Sequence, residues 1–171
     1  MQYERRLKII SAGWRMEYIE KEDDGSCIFC ERAKRRHDRE DLVVRRGRQA
    51  FVMMNRYPYT TGHLMVAPYR HVARLSDLTA EESCEIMGLL GWSEKILREA
   101  IAPHGFNVGM NIGRCAGAGF PNHIHVHVVP RWEGDSNFMP VLSETKVLPE
   151  ILTDTYDKIM LAQEAMRPEK P

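Results

Sequence analysis

The sequence predicts an α+β fold, a mainly antiparallel sheet with one long helix and a second helix at the C-terminus. Three observations lead there. Two short apolar runs, Leu42-Val43-Val44-Arg45 and Ala50-Phe51-Val52-Met53-Met54, flank a turn at Gly47 and read as a hairpin. Thr79, with Glu82 three residues on, forms a capping box ahead of Ile86, Met87, Leu90, Leu97 and Ile101, which are spaced for one helical face. Strand-like segments then resume after Pro103 and Gly105 stop that helix. Between hairpin and helix, His63-Leu64-Met65-Val66-Ala67 reads as a third strand stopped by Pro68. Two more strands follow, Phe106 to Ile112 and Ile124 to Val129, separated by the glycine-rich segment 113–122. A last helix is expected from Pro149, a favourable first-turn residue, to about Met166.

At 171 residues the chain reads as one domain, residues 27–171, preceded by an arm over residues 1–26 that packs on it. The charged run 31–41 reads as a solvated helix or loop. Lys and Arg number 24 against 24 Asp and Glu, and this absence of basic excess disfavours a nucleic-acid partner. No apolar run reaches the roughly 18 residues of a membrane span, and Met1 to Ile10 carry four charges with no apolar core behind them. Neither a membrane nor a secretory signal is expected. With 4 cysteines in a chain of this length, a cytoplasmic protein with reduced thiols is expected rather than a disulfide scaffold.

The most informative segment is His123-Ile124-His125-Val126-His127-Val128-Val129-Pro130. On a strand its three imidazoles share one face, which should be wet, and Ile124, Val126 and Val128 share the other, which should be core. Three satisfied surface histidines are the bland reading. A single metal held by all three is another, but a strand rise of about 3.3 Å puts the Cα atoms of His123 and His127 about 13 Å apart, too far for bonds of about 2 Å. The third is nucleophilic catalysis by one imidazole, with His125 central and mostly neutral near pH 7. Gly117 and Gly119, just upstream, permit conformations in which backbone N–H groups form a concavity for anionic oxygens. Cys27-Ile28-Phe29-Cys30 is a CxxC that by itself fits half of a zinc site, a redox pair or chance.

These residues resemble the histidine triad (HIT) superfamily of nucleotide hydrolases and transferases. His123 to Val129 matches its His-x-His-x-His-x-x motif, and Asn55-Arg56-Tyr57-Pro58 followed by Gly62-His63 and Pro68 resembles its second signature. The resemblance runs from about Cys27 to Trp132. The segments 14–19 and 130–140 further resemble a bacterial branch that includes diadenosine tetraphosphate phosphorylases.

The resemblance implies a HIT-like fold, and a nucleotidyl transferase or hydrolase that cleaves dinucleoside polyphosphates at the α-phosphate through a covalent nucleotidyl-histidine. It implies His125 as nucleophile, His127 on the phosphoryl oxygens and His63 in the same polar network. Asn55 would meet the ribose, and Asn111 with Gly117, Ala118 and Gly119 would lie near the phosphates. Gly119 and Phe120 stand where many family hydrolases carry a side-chain donor, which favours transfer to inorganic phosphate over hydrolysis. It also implies a closed structural zinc held by Cys27, Cys30, His71 and His123, no organic cofactor, and a homodimer or larger even oligomer built on the long helix and the 106–112 strand. Hydrolysis of nucleoside phosphoramidates or other nucleotides is the alternative. A metal-dependent hydrolase and a non-catalytic nucleotide-binding module are the competing classes. Cys84 is expected to pack along the long helix, and His37 and His104 to lie on the surface; Cys115 and Trp132 receive no role.

Overall fold

A computed structural model describes residues 26–135 and 148–166. The expected packing of residues 1–25 and the tail segment beyond Asp135 lie outside the described residues. Two short helices come first, α1 (Ile28–Lys34) and α2 (Asp38–Asp41), followed by β1 (Val43–Arg46), β2 (Ala50–Met54) and β3 (Leu64–Pro68). The long helix α3 (Ala80–Ile101) leads into β4 (Gly105–Gly109), β5 (Val126–Arg131) and α4 (Leu152–Ala165). The sheet order is β1-β2-β3-β5-β4, and every neighbouring pair is antiparallel. The α+β class is as the sequence predicts.

The long helix starts where its capping box puts it. Glu82 N–H donates to the Thr79 hydroxyl at 3.2 Å, and Thr79 N–H returns to the Glu82 carboxylate at 2.9 Å. One turn on, the Glu85 carboxylate accepts the amides of Arg48, Gln49 and Ala50, tying the β1–β2 turn to the helix. Gly47 suits that turn, because a Cβ there would stand 2.8 Å from the Ala50 carbonyl oxygen.

The sheet buries both faces, against different partners. On one face Val52, Met54, Leu64, Val66, Val126 and Val128 pack with Ile86, Ile96 and Leu97 of α3 and Tyr156 and Ile159 of α4. On the other, Phe29 from α1 covers Val43, Phe51, Met53, Met65 and Ala67. The Arg46 guanidinium holds α1 in place, donating to the carbonyls of Arg32, Ala33 and Arg35 and to Asp38. The charged run is therefore two short helices, with most of its side chains in solvent but with Asp41 buried.

Pro68, paired with Ala50, is the last residue of β3, where the sequence expects the strand to stop. Three other boundaries differ from expectation. β4 ends at Gly109 instead of Ile112, and α4 starts at Leu152 instead of Pro149. β5 begins at Val126, so only His127 of the three histidines is in the ladder. Pro68 explains the last difference: it has no N–H to extend the β3–β5 ladder, and its carbonyl is taken by the His123 ring at 3.0 Å. The freed Ile124 N–H turns instead to the Val72 carbonyl at 2.7 Å. The histidine face is correspondingly dry at one end: His123 and His125 are buried under α1, and His127 is half-buried.

Candidate active site and metal centre

Two clusters meet at the histidine segment. The first joins the α1 cysteines to the loop after β3. Cys27 Sγ lies 3.3 Å from His123 Nδ1, and Cys30 Sγ lies 3.3 Å from His71 Nδ1 and 3.6 Å from His123 Nδ1. The donor atoms of Cys27, Cys30, His71 and His123 all fall within 4.8 Å of one another. Metal–sulfur bonds of about 2.3 Å and metal–nitrogen bonds of about 2.0 Å at tetrahedral angles put sulfur and nitrogen about 3.5 Å apart. The four residues therefore fit a closed metal site in both donor chemistry and spacing. The Pro68 carbonyl accepts His123 Nε2–H, so the Nδ1 lone pair points at the sulfurs. Burial keeps that imidazole neutral, holding its pKa near 4. Burial, then the neighbouring Cys27, push the Cys30 thiol up to about 11, the response of a site where thiolate charge needs a cation.

The second cluster is a relay of imidazoles. Tyr59 N–H donates to His63 Nδ1 at 3.1 Å, and Asn55 Nδ2 lies 3.4 Å from the same nitrogen. The His63 proton is thereby assigned to Nε2, which meets His127 Nδ1 at 2.9 Å. His127 accepts there, and its own proton, in the neutral ring, sits on Nε2. His125 has the opposite polarity. Its Nδ1–H donates to the His123 carbonyl at 2.9 Å, which leaves the lone pair on Nε2. Burial, partly offset by that backbone bond, holds the His125 pKa below its ordinary value and keeps the ring neutral near pH 7. The rings of His125 and His127 stand edge to face, centroids 4.9 Å apart. The two neighbouring rings thus differ in polarity, one with its lone pair on Nε2 and the other with its proton there.

The structure brings His63, His125, His127 and Asn55 together, and separately Cys27, Cys30, His71 and His123. A groove of about 400 Å³ opens beside His127, lined among others by Tyr59, Asn107, Asn111, Val129 and Arg131. Asn111 reaches the glycine loop, its Nδ2 3.5 Å from the Gly117 carbonyl. Gly113 and Gly117 are the loop positions with positive φ. The amides of Gly117 and Ala118 turn inward to the Arg114 and Gly113 carbonyls, which directs them within the loop. Cys84 is exposed rather than packed, because its side of α3 faces away from the sheet, and Cys115 is exposed as well. His37 and His104 lie at the surface as expected. Sequence reasoning missed Phe29 and Tyr59, whose rings pack on His125 and His63 at centroid distances of 4.7 and 4.6 Å. The signal for Phe29 was its place inside the CxxC.

The HIT domain family profile matches residues 36–134, more than half of the chain. An AP-4-A phosphorylase of Mycobacterium tuberculosis is 49% identical over 118 residues, which are 69% of this chain and 60% of that protein. The chain therefore spans less than two thirds of that relative's length. An adenosine 5'-monophosphoramidase of Schizosaccharomyces pombe is 31% identical over 106 residues, covering 62% of this chain and 74% of that protein. Among solved structures, a Zn-bound histidine triad family protein from Mycobacterium smegmatis superposes with a TM-score of 0.66 at 23% identity, covering 83% of this chain and 96% of that one. At that identity the likeness establishes the fold. Among the described residues no helix is long and apolar enough to cross a membrane.

Proposed function

The chain belongs to the HIT family, and on that premise we propose that it is a nucleotidyl transferase that cleaves dinucleoside polyphosphates at the α-phosphate by way of His125. The observation that carries this reading is the opposed polarity of the two neighbouring imidazoles, Nδ1–H of His125 tied to the His123 carbonyl and Nδ1 of His127 tied to His63. The 49% identity to an AP-4-A phosphorylase supports the substrate class.

His125 Nε2 attacks the α-phosphorus, a P–N bond forms, and the P–O bond to the leaving polyphosphate breaks with its electron pair on oxygen. His127 lines the groove, and its Nε2–H is the donor that stabilises that oxygen or protonates it. An oxygen of inorganic phosphate then attacks the same phosphorus and releases His125. The net reaction of diadenosine tetraphosphate and phosphate gives ATP and ADP. Asn55 meets the ribose, and Asn111 with the segment 117–119 borders the phosphates. Cys27, Cys30, His71 and His123 would hold a structural zinc, which would supply a cross-link between α1 and the histidine segment rather than take part in the chemistry. A reducing cytoplasm suits this use of the cysteines.

Product analysis with diadenosine tetraphosphate tests the reading. Phosphate-dependent formation of ADP plus ATP is expected; AMP plus ATP irrespective of phosphate would replace transfer by hydrolysis. The phosphoramidase relative favours one second reading, hydrolysis of a nucleoside phosphoramidate, and turnover of adenosine 5'-phosphoramidate alone would select it.

Two further outcomes are expected. His127→Ala removes one donor to the developing oxyanion, so turnover should fall about 100- to 1000-fold with the intermediate still detectable. His63→Ala should move turnover in the same direction by a smaller factor, because it acts through the tautomer of His127; steady-state kinetics read both. The proposal also includes a two-fold oligomer. β4 is one edge of the sheet, and Val108 within it and Ile112 just beyond it are exposed. Light scattering should give at least twice the chain mass, and a monomer at micromolar concentration would remove the oligomer.

A further inference from the structure

We propose that Phe29 is the positioning residue of the nucleophile. Phe29 sits between Cys27 and Cys30 in the first turn of α1 and is fully buried. Its ring lies 4.7 Å from the His125 ring at 32° and 5.0 Å from the His123 ring at 34°, so both imidazoles pack against it. Phe120, from the end of the glycine loop, packs on the Phe29 ring in a T-shaped contact at 5.9 Å.

The geometry of His125 calls for such a wall. The bond from Nδ1–H to the His123 carbonyl fixes one ring nitrogen but leaves the ring free to tilt about that contact. Tilting swings Nε2, the attacking atom, because it lies at the opposite corner of the ring. The His127 ring limits the swing on one side, edge to face at 4.9 Å, and Phe29 limits it on another. Of these three restraints, Phe29 alone comes from outside the histidine segment. Its own position is set by the residues on either side of it, Cys27 and Cys30, and by Arg46, which clamps the carbonyls at the end of α1. A metal bound by the cysteine–histidine cluster would therefore stiffen the nucleophile's wall without touching substrate. A misplacement of about 1 Å costs on the order of 100-fold in a reaction that depends on alignment. Removing the wall should reduce the rate of the covalent step and leave nucleotide affinity alone.

This inference rests on His125 as nucleophile, and the experiment separates the two. In the parent protein, rapid quenching with diadenosine tetraphosphate in the absence of phosphate reads the rate of nucleotidyl-histidine formation. If the parent forms none, the nucleophile reading fails before any variant is compared. If it does, Phe29→Leu and Phe29→Ala are compared with Phe51→Leu, a truncation in the same apolar cluster whose ring stacks on Tyr69 and not on a histidine. Metal content, thermal midpoint and nucleotide affinity are measured on each. Phe29→Leu should slow formation about 10-fold and Phe29→Ala about 100-fold, with metal retained and affinity within about twofold. Phe51→Leu should lose stability yet keep the parent rate. If Phe29→Ala does not fold, Phe29→Leu carries the test. A parental rate in folded Phe29→Leu overturns the proposal. So does weakened nucleotide affinity at unchanged rate, which would make Phe29 a binding residue, and so does an equal rate loss in Phe51→Leu, which would make the effect one of general packing.

Discussion

His125→Ala should abolish turnover while nucleotide binding and folding persist. The expected loss is about 10⁴-fold or more, since removal of a covalent nucleophile disables both half-reactions at once. The substitution removes a ring packed between Phe29 and His127, so some stability is lost as well, but the sheet register and the metal cluster do not depend on it. Turnover and nucleotide affinity measured on the same folded sample separate the two effects. The three histidines should in fact give three phenotypes. His125→Ala loses chemistry, His127→Ala loses most of it, and His123→Ala loses metal and stability through the Cys27–Cys30–His71 cluster. A metal held by the triad itself would make all three lose metal and activity together. Turnover by His125→Ala within about tenfold of the parent would refute the nucleophile assignment.

The second large effect is on stability. Replacing Cys27 and Cys30 together by Ser should leave a protein without bound zinc and with a much lower thermal midpoint. Metal binding is folding free energy where the site does not exist in the unfolded chain, and the two cysteines hold α1 against the sheet. A loss of about 3–5 kcal/mol, at about 2–4 °C per kcal/mol for a chain of this size, lowers the midpoint by roughly 6–20 °C. A chelator should reproduce the shift in the parent and add nothing to the double variant. At a temperature where the variant is folded, its turnover should fall far less than that of His125→Ala. Parent protein prepared without chelator and found metal-free by elemental analysis would contradict this, as would an unchanged midpoint in the variant.

Much of this was legible in the sequence because the signals were local. The capping box at Thr79 and Glu82 depends on residues three apart, and the hairpin about Gly47 on a few adjacent ones. The period-two histidines correctly divided Val126 and Val128 from His127. What the periodicity could not carry was burial of the histidine side. That depends on Phe29, far away in sequence, and on Pro68, whose missing N–H releases residues 123–125 from the ladder. For the same reason the tautomers were invisible: they are set by the amide of Tyr59 and the carbonyl of His123, backbone groups that no pattern of side chains encodes. The metal ligands were reached through family resemblance rather than spacing, since the CxxC and the two histidines lie on separate segments.

The central claim is a covalent bond between His125 and the substrate's α-phosphorus, and its most direct test is to isolate that bond. The parent protein is mixed with diadenosine tetraphosphate without inorganic phosphate, quenched under alkaline conditions that preserve phosphohistidine, digested and analysed by mass spectrometry. The account predicts one adenylyl group on the peptide that carries His125, absent from His125→Ala and discharged as ADP when phosphate is added before the quench. Turnover with no adenylylated peptide at any time point, or with the group on another residue, would contradict it.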